Sequence, residues 1–354
     1  MTDWSNLPEG VVTLFAEKFN GPRSDVVRAL RRVCKPWSAE ITAGITMATM
    51  FHGAQAGVEQ VLKTTPKLRS LKVTGNTRET LLTDIRSVKH LVPELKSFAF
   101  DRCDLYSCDT PISQCLTETT TGLDVRHCIL KPTTVSGFHE LRNLTSLTML
   151  LTGFESDGTR ASICASVFSL MPSLRFVELA VCDMRMDNVR ASDLPNLTRL
   201  SIIHSVIWHP EFLRGLTRLE HLNLSRTHIA VYAGDLPADL PASITSLDLC
   251  TRYWNEPKIL TEGFFRLASR LTLLSSLDLG TDYQVTNGVL AALGSMPSLT
   301  RLSIFECRRV TDAGLASLAR SKLVLLELIH CSYVTRDGVD ALRAALPGLE
   351  IVVR

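Results

Sequence analysis

The sequence lacks any stretch of 18 consecutive apolar residues, so no membrane-spanning helix is expected. Its first residues, Met1-Thr2-Asp3-Trp4, have no basic segment followed by an apolar one, so no secretory signal peptide is expected, which points to the cytoplasm and/or the nucleus. No sign of charge dominates: Lys and Arg number 38 against 36 Asp and Glu, a net charge of +2. A general nucleic-acid binder would show a basic stripe and a strongly basic domain, so neither a nucleic acid nor a membrane is expected as a partner. There is also no P-loop, no G-x-G-x-x-G, no H-E-x-x-H and no G-x-S-x-G. Each His reads more simply as a strand or loop residue than as a catalyst, and His204 and His209 around Trp208 do not have the spacing of a metal site. Neither a catalytic centre nor a cofactor is expected.

What the chain does contain is one apolar phrase, L-x-x-L-x-L, often closed by Cys three places later. It stands out in Leu174-x-x-Val177-x-Leu179-x-x-Cys182, Leu299-x-x-Leu302-x-Ile304-x-x-Cys307 and Leu323-x-x-Leu326-x-Leu328-x-x-Cys331. Its lead positions are read as Leu68, Leu95, Thr120, Leu147, Leu174, Leu197, Leu219, Ile244, Leu274, Leu299, Leu323 and a truncated Leu349, a mean period of about 25.5 residues. Leucine-rich repeats have periods of about 20–29 residues, whereas armadillo and kelch units are longer. Such a repeat supplies a short strand and a return helix, buries its apolar side only against its neighbours, and stacks into a solenoid. The expected fold is therefore α/β: a right-handed leucine-rich-repeat solenoid, or horseshoe, with a concave parallel sheet, over residues 66–354 in about 11–12 repeats.

The chain has ten cysteines, and Cys103, Cys128, Cys182, Cys307 and Cys331 each fall eight residues after a lead position. Other repeats carry Asn76, Glu155, Ser205, Thr227, Arg252 and Asp282 there. The chain turns off the strand at this point, where a small or polar side chain satisfies backbone groups of the turn or packs beneath it. A zinc site from Cys103, Cys108, Cys115 and Cys128 would need spacings unlike paired C-x-x-C ligands, so the repeat reading is preferred. Asn143-Leu-Thr145, Asn196-Leu-Thr198 and Asn223-Leu-Ser225 match the glycosylation sequon but sit on or beside the strand phrase, and chance occurrence is the better reading.

Ahead of the repeats the rhythm changes. Pro8 and Glu9 suit a helix start, and Val11, Leu14, Phe15 and Phe19 follow at helical spacing until Gly21-Pro22. Ser24 or Asp25 suits the cap of a second helix carrying Val26, Leu30, Val33 and Trp37. Two segments this short do not bury their apolar faces alone and must lean on the solenoid, on a partner, or on both. Residues 43–65 contain no Pro and present Ile45, Met47, Met50, Phe51, Val58, Val61 and Leu62, which predicts a helical connector or cap.

Trp4-Ser5-Asn6-Leu7-Pro8, Ser24-Asp25-Val26-Val27-Arg28 and Val33-Cys34-Lys35-Pro36-Trp37 together resemble the F-box in the form common in plants and algae, over about residues 3–42. The repeats, as in Val310-Thr311-Asp312-Ala313-Gly314-Leu315 and Val334-Thr335-Arg336-Asp337-Gly338-Val339, resemble the cysteine-containing leucine-rich repeats that follow F-boxes. The resemblance implies a short N-terminal helical F-box, residues 1–42, that docks on the Skp adaptor and through it on a cullin in a ubiquitin ligase. Leu7, Pro8, Val12, Leu14, Phe15, Leu30, Val33, Cys34 and Trp37 would then supply the adaptor-facing or supporting surface. A departure from the family is Val11-Val12 in place of a bulkier Leu/Ile pair.

The expected function is that of a noncatalytic substrate receptor of a Skp–cullin–F-box ubiquitin ligase, binding a protein substrate through the repeats. The alternatives are a leucine-rich-repeat scaffold working without the ligase and a Ran GTPase-activating-type regulator. The second is disfavoured by the absence of an acidic tail after Leu346-Pro347-Gly348-Leu349-Glu350-Ile351-Val352-Val353-Arg354. Residues between and after the strand leucines face the open side of the sheet. Substrate contacts are therefore expected from Arg199, Ile203, His204, His221, Arg226, Arg301, Phe305, Glu306, Ile329 and His330, with Tyr253 and Trp254 of the longest interval as a second candidate. Phe305 and Ile329 hold the same offset in adjacent repeats and are expected to be strand neighbours.

Overall fold

The computed structural model describes residues 47–51, 62, 65–75, 81–130, 134, 140–150, 171–180, 183–184, 190–207, 210–229, 240–250, 261–280 and 285–354. The chain divides into two compact units, Met1–Thr159 and Arg160–Arg354.

The N-terminal unit is a ladder of parallel strands, Met47–Phe51, Ser70–Thr74, Ser97–Asp101, Gly122–Arg126 and Ser146–Leu150, in chain order. Alternation explains each strand. In Ser70–Thr74 and Ser97–Asp101 the second and fourth side chains are buried and the others half-buried. The lead residue lies just before the strand, and its amide closes a tight turn onto the carbonyl three residues earlier: Leu68 to Thr65 at 3.1 Å, Leu95 to Val92 at 3.1 Å, Thr120 to Thr117 at 3.0 Å. This turn aims the lead side chain inward. Leu68, Leu71 and Val73, then Leu95, Phe98 and Phe100, are buried in succession. Full burial of such side chains stabilises by about 1.5–3 kcal/mol each. Thr120 occupies a leucine position without an orphaned hydroxyl, because its Oγ1 donates to the Leu95 carbonyl at 3.1 Å.

Two sequence expectations need correction in this unit. The apolar pattern predicts helical packing over 43–65, but Met47–Phe51 is a strand, paired in parallel with Ser70–Thr74. A short apolar run fits either element by pattern alone, and pairing covers an edge that would otherwise present unsatisfied amides. The second correction is the lead position of the fourth repeat, which is Leu144 rather than Leu147. Leu123, three places after Thr120, pairs with Leu147, so Leu147 is the inner strand residue of its repeat. Leu144 makes the lead-type turn to Leu141 at 3.1 Å, and Leu144, Leu147 and Met149 are buried in sequence. The adjoining intervals become 24 and 30 residues, and the eighth position becomes Thr152 instead of Glu155.

The C-terminal unit continues the design with eight parallel strands in chain order: Phe176–Ala180, Arg199–Ile203, His221–Asn223, Ser246–Asp248, Ser276–Gly280, Arg301–Phe305, Leu325–Ile329 and Glu350–Val353. Two-residue strands Asp183–Met184, Val206–Ile207 and His228–Ile229 form a second, small ladder. Return segments differ between repeats. In the 23- and 22-residue intervals from Leu174 and Leu197 the described residues return through the short 3-10 turns Ala191–Asp193 and Pro210–Gly215. Later repeats return through α-helices at Thr261–Arg270, Asn287–Gly294, Asp312–Ser317 and Arg336–Ala345.

These later helices are joined by a side-chain step from one repeat to the next. Asn287 accepts from the Thr311 amide at 2.9 Å and donates to its hydroxyl at 2.8 Å. Asp312 accepts from the Thr335 amide at 2.8 Å and hydroxyl at 2.6 Å. Each amide or carboxylate thereby holds the Thr that precedes the next helix. The glycine that follows is needed because the same side chain fills its Cβ space: a Cβ on Gly314 would sit 2.5 Å from Asn287 Oδ1, and one on Gly338 would overlap the Asp312 carboxyl group. The V-T-x-x-G signature is thus a stacking device.

Candidate interaction surface on the open sheet face

Counting from each lead residue, the second, fourth and sixth positions point away from the core and the seventh ends the strand. In every repeat where the seventh position is described it departs from ordinary strand geometry or begins the turn, and all six non-glycine residues with positive φ among the described residues stand there. They are Arg102 at 57°, His127 at 53°, His204 at 51°, Arg226 at 53°, Glu306 at 52° and His330 at 55°. Gly75, with φ 103°, holds the position in the first repeat. The left-handed residue turns its amide onto the sixth carbonyl of the next repeat, as in Arg102 to Arg126 at 2.9 Å, His127 to Leu150 at 2.6 Å and Glu306 to Ile329 at 2.8 Å. Left-handed backbone costs a residue other than Gly on the order of 1 kcal/mol, so a charged or imidazole side chain there is retained against a conformational preference.

One place further, the eighth position closes the turn from beneath. Cys128 Sγ donates to the Arg126 carbonyl at 3.2 Å, Ser205 Oγ to Ile203 at 2.8 Å, and Cys307 Sγ to Phe305 at 3.6 Å. Thr227 Oγ1 reaches the Ile202 carbonyl of the preceding repeat at 2.5 Å. Cys, Ser and Thr are alternative donors for one slot, as expected from the sequence. Cys115 lies outside this slot and donates to the Leu82 carbonyl at 3.1 Å, and burial pushes its thiol up to about 12. It is a protonated packing residue at neutral pH. Asn143 and Asn196, of the sequon matches, donate their amides to the Glu118 and Pro172 carbonyls at 2.8 and 2.9 Å.

The structure places the sequence-derived contact residues of the C-terminal unit on the open face in two groups. Arg199 is exposed and Ile203 half-buried on one strand; His204 and Arg226 follow at the rim, joined at 2.8 Å between the guanidinium and His204 Nε2. Arginine has no acceptor, so Nε2 carries the lone pair and the imidazole is neutral. Burial, and secondarily the Arg226 charge, lowers the His204 pKa in agreement. His221 pairs with Arg199 on the neighbouring strand. The second group is Arg301, Phe305, Glu306, Ile329 and His330. Phe305 and Ile329 are strand partners, both half-buried, and the His330 ring meets Phe305 edge-on with centroids 5.7 Å apart. Three strand steps of about 4.8 Å separate the strand of His221 from that of Arg301, roughly 14 Å, so the two groups do not form one compact pocket. Tyr253 and Trp254 lie outside the described residues. So do all nine candidates for the adaptor surface: Leu7, Pro8, Val12, Leu14, Phe15, Leu30, Val33, Cys34 and Trp37.

The open face also carries features that the sequence reading leaves out. A groove of about 340 Å³ is lined by Phe176, Glu178, Arg199, His221, Asn223, Asp248 and Asp278, among others. The fourth position carries Glu178, Asp248, Asp278 and Glu327 in four of its repeats, an acidic row across the middle of the sheet. Burial, then repulsion from Asp248, pushes Asp278 up to about 6. The signal is present in Leu247-Asp248-Leu249, Leu277-Asp278-Leu279 and Leu326-Glu327-Leu328, where an acid stands between two core leucines. In the N-terminal unit the outward acids are paired: Asp101 with Lys72 at 2.8 Å, which holds its carboxyl below the usual range, and Asp124 with Arg126 at 2.8 Å.

This geometry defines an α/β leucine-rich-repeat solenoid with an open sheet face. No family model matches the chain, and no curated protein matches it. Solved structures do. A chain of the yeast Rad7–Elc1 complex is similar over 98% of this chain and 93% of its own, with TM-score 0.56 and 15% identity. An internalin (inlF) from Listeria monocytogenes is similar over 83% of this chain and 92% of its own, with TM-score 0.51 and 17% identity. At such identities the likeness shows the fold. Among the described residues no helix is long and apolar enough to cross a membrane.

Proposed function

We propose that the chain is the noncatalytic substrate-recognition subunit of a Skp–cullin–F-box ubiquitin ligase, acting in the cytoplasm or nucleus. The observation that carries the recognition half is the Phe305–Ile329 pair: two apolar side chains, neighbours in register, on the side of the sheet turned away from the core. Ringed by Arg301, Glu306 and His330, they form an apolar anchor with a polar rim, the arrangement in which a few side chains carry most of an interface's energy. The ligase half is supported by the F-box resemblance of residues 3–42. The similarity in fold to a chain of a two-protein complex, Rad7 with Elc1, accords with a protein-binding role. In this reading the repeats hold a protein substrate, the head holds the Skp adaptor and thereby a cullin, and the chain contributes positioning, which raises the effective concentration of substrate lysines at the conjugating enzyme. The test is coexpression with a Skp adaptor, followed by affinity capture from cells with the proteasome blocked. Adaptor, cullin and a stabilised substrate are expected together; failure of the wild-type chain to copurify with the adaptor removes the ligase half.

A further inference from the structure

Three neighbouring strands of the C-terminal unit, Ser276–Gly280, Arg301–Phe305 and Leu325–Ile329, align residue for residue. Their middle outward residues are Asp278, Ser303 and Glu327, and their next outward residues are Gly280, Phe305 and Ile329. With strands about 4.8 Å apart, the backbones of Asp278 and Glu327 stand roughly 9.6 Å apart, with only the hydroxymethyl group of Ser303 between them. A Lys or Arg head group bonds carboxylates at about 2.8 Å, so two acids reaching inward from either side bracket one cation above the serine. Neither Asp278 nor Glu327 forms an ion pair with a described cation, in contrast to the paired Asp101 and Asp124 of the other unit. One step along the strands, Gly280 contributes no side chain and Phe305 and Ile329 are half-buried. In an extended chain, side chains two residues apart point the same way about 6.6–7 Å apart, which is also the distance between these two rows.

We infer that this face binds an extended segment of a partner protein in which a lysine or arginine is followed two residues later by a large apolar side chain. The cation sits between Asp278 and Glu327, and the apolar group rests on Phe305 and Ile329. This rests on the substrate-recognition reading and states the chemistry of the substrate it would take. The groups facing Asp278 are Asp248 and Glu327, which repel its charge, Arg301, which attracts it, and Ser303, which hydrogen-bonds it. An incoming cation therefore relieves a repulsion, and binding strengthens as Asp278 ionises with rising pH.

The experiment uses the full chain and fluorescent peptides: Ala-Ala-Lys-Ala-Leu-Ala-Ala, the same peptide with Glu for Lys, and the same with Ser for Leu. The lysine–leucine peptide is expected to bind at least tenfold more tightly than either control, with a preference over the glutamate peptide that grows between about pH 5 and about pH 7. Asp278→Asn with Glu327→Gln should erase the preference for lysine, and Phe305→Ala with Ile329→Ala the preference for leucine. Glu327→Gln alone, which should weaken the lysine preference, serves if the double variant does not fold. Equal binding of the peptides, binding of none at millimolar concentration, or a lysine preference that survives loss of both acids overturns the inference. Adaptor copurification separates the two readings: selectivity without adaptor binding sinks only the ligase half, and adaptor binding without selectivity sinks only this inference.

Discussion

Asp278 sits in surroundings that oppose its own charge. Its folded-state value of about 6 lies above the ordinary 3.8, so the folded chain holds this proton more tightly than the unfolded one. Stability from this group is therefore present at low pH and is lost as pH rises from about 4 through about 6. Asp278→Asn should stabilise the chain at pH 7 by about 1–2 kcal/mol after allowance for solvent screening, and change little near pH 4. Thermal melts at both pH values check this. A loss of stability at pH 7 would mean that the bond with Ser303 outweighs burial and repulsion. A charge kept at such a cost is what a binding face retains when ligand contact repays it. The eighth position illustrates the opposite case, in which every atom serves the fold. Thr227 is 1% exposed and its hydroxyl donates to the Ile202 carbonyl. Thr227→Val keeps the shape but leaves that carbonyl without this donor, at a cost of about 1–3 kcal/mol, whereas Thr227→Cys should be milder because Cys fills the same slot in other repeats, as at Cys128 and Cys307. Denaturant midpoints of the two variants should rank in that order.

The strand phrase and the V-T-x-x-G step are elements whose sequence and geometry differ in how readily one gives the other. The period is legible because every lead residue enters the core and a polar replacement is rare. The register of the fourth repeat is not, since Leu144, Leu147 and Leu150 repeat every three residues and offer two overlapping phrases. The pairing of Leu123 with Leu147 and the turn of Leu144 onto Leu141 distinguish them. Met47–Phe51 escapes the pattern for a related reason: five residues carry too little period to separate strand from helix, and the partner edge that decides it is 23 residues away. The glycine of the V-T-x-x-G step is visible as a motif, but its cause lies in the preceding repeat. Gly314→Ala would drive a methyl group to 2.5 Å from Asn287 Oδ1 and 3.1 Å from Leu290 Cδ1. We expect a loss of about 1–3 kcal/mol, read from the denaturant midpoint, with Asn287→Ala in the same chain recovering part of it. Equal losses in the single and double variants would show that the clash is not with Asn287.

At the scale of the whole molecule, a repeat array transmits perturbation mainly to nearest neighbours, so distant parts of the chain should fail separately. The candidate site is partly legible in the sequence for the same reason: a fixed offset from each lead residue names the open face, and that offset alone sets Phe305 beside Ile329. The acids at the fourth position are not legible in this way, because a charged residue between two leucines looks like an ordinary solvated one until its neighbours across the strands are known. Separate failure makes the proposed function testable by crossed variants. Trp37→Ala, or Leu7→Ala with Pro8→Ala, should abolish copurification with the Skp adaptor; loss of a buried Trp costs about 3–5 kcal/mol, more than a hundredfold in affinity if that side chain is at the contact. Phe305→Ala with Ile329→Ala removes two half-buried apolar side chains from the open face, and about 2 kcal/mol there lowers substrate recovery roughly thirtyfold. Each variant should leave the other interaction, and the circular-dichroism spectrum, close to wild type. Equal loss of thermal stability in the Phe305/Ile329 variant would assign both side chains to holding the fold, and undiminished substrate recovery would move recognition to another part of the repeats. Loss of both interactions in either variant would show that head and repeats bind as one surface, against the independence that a stacked array imposes.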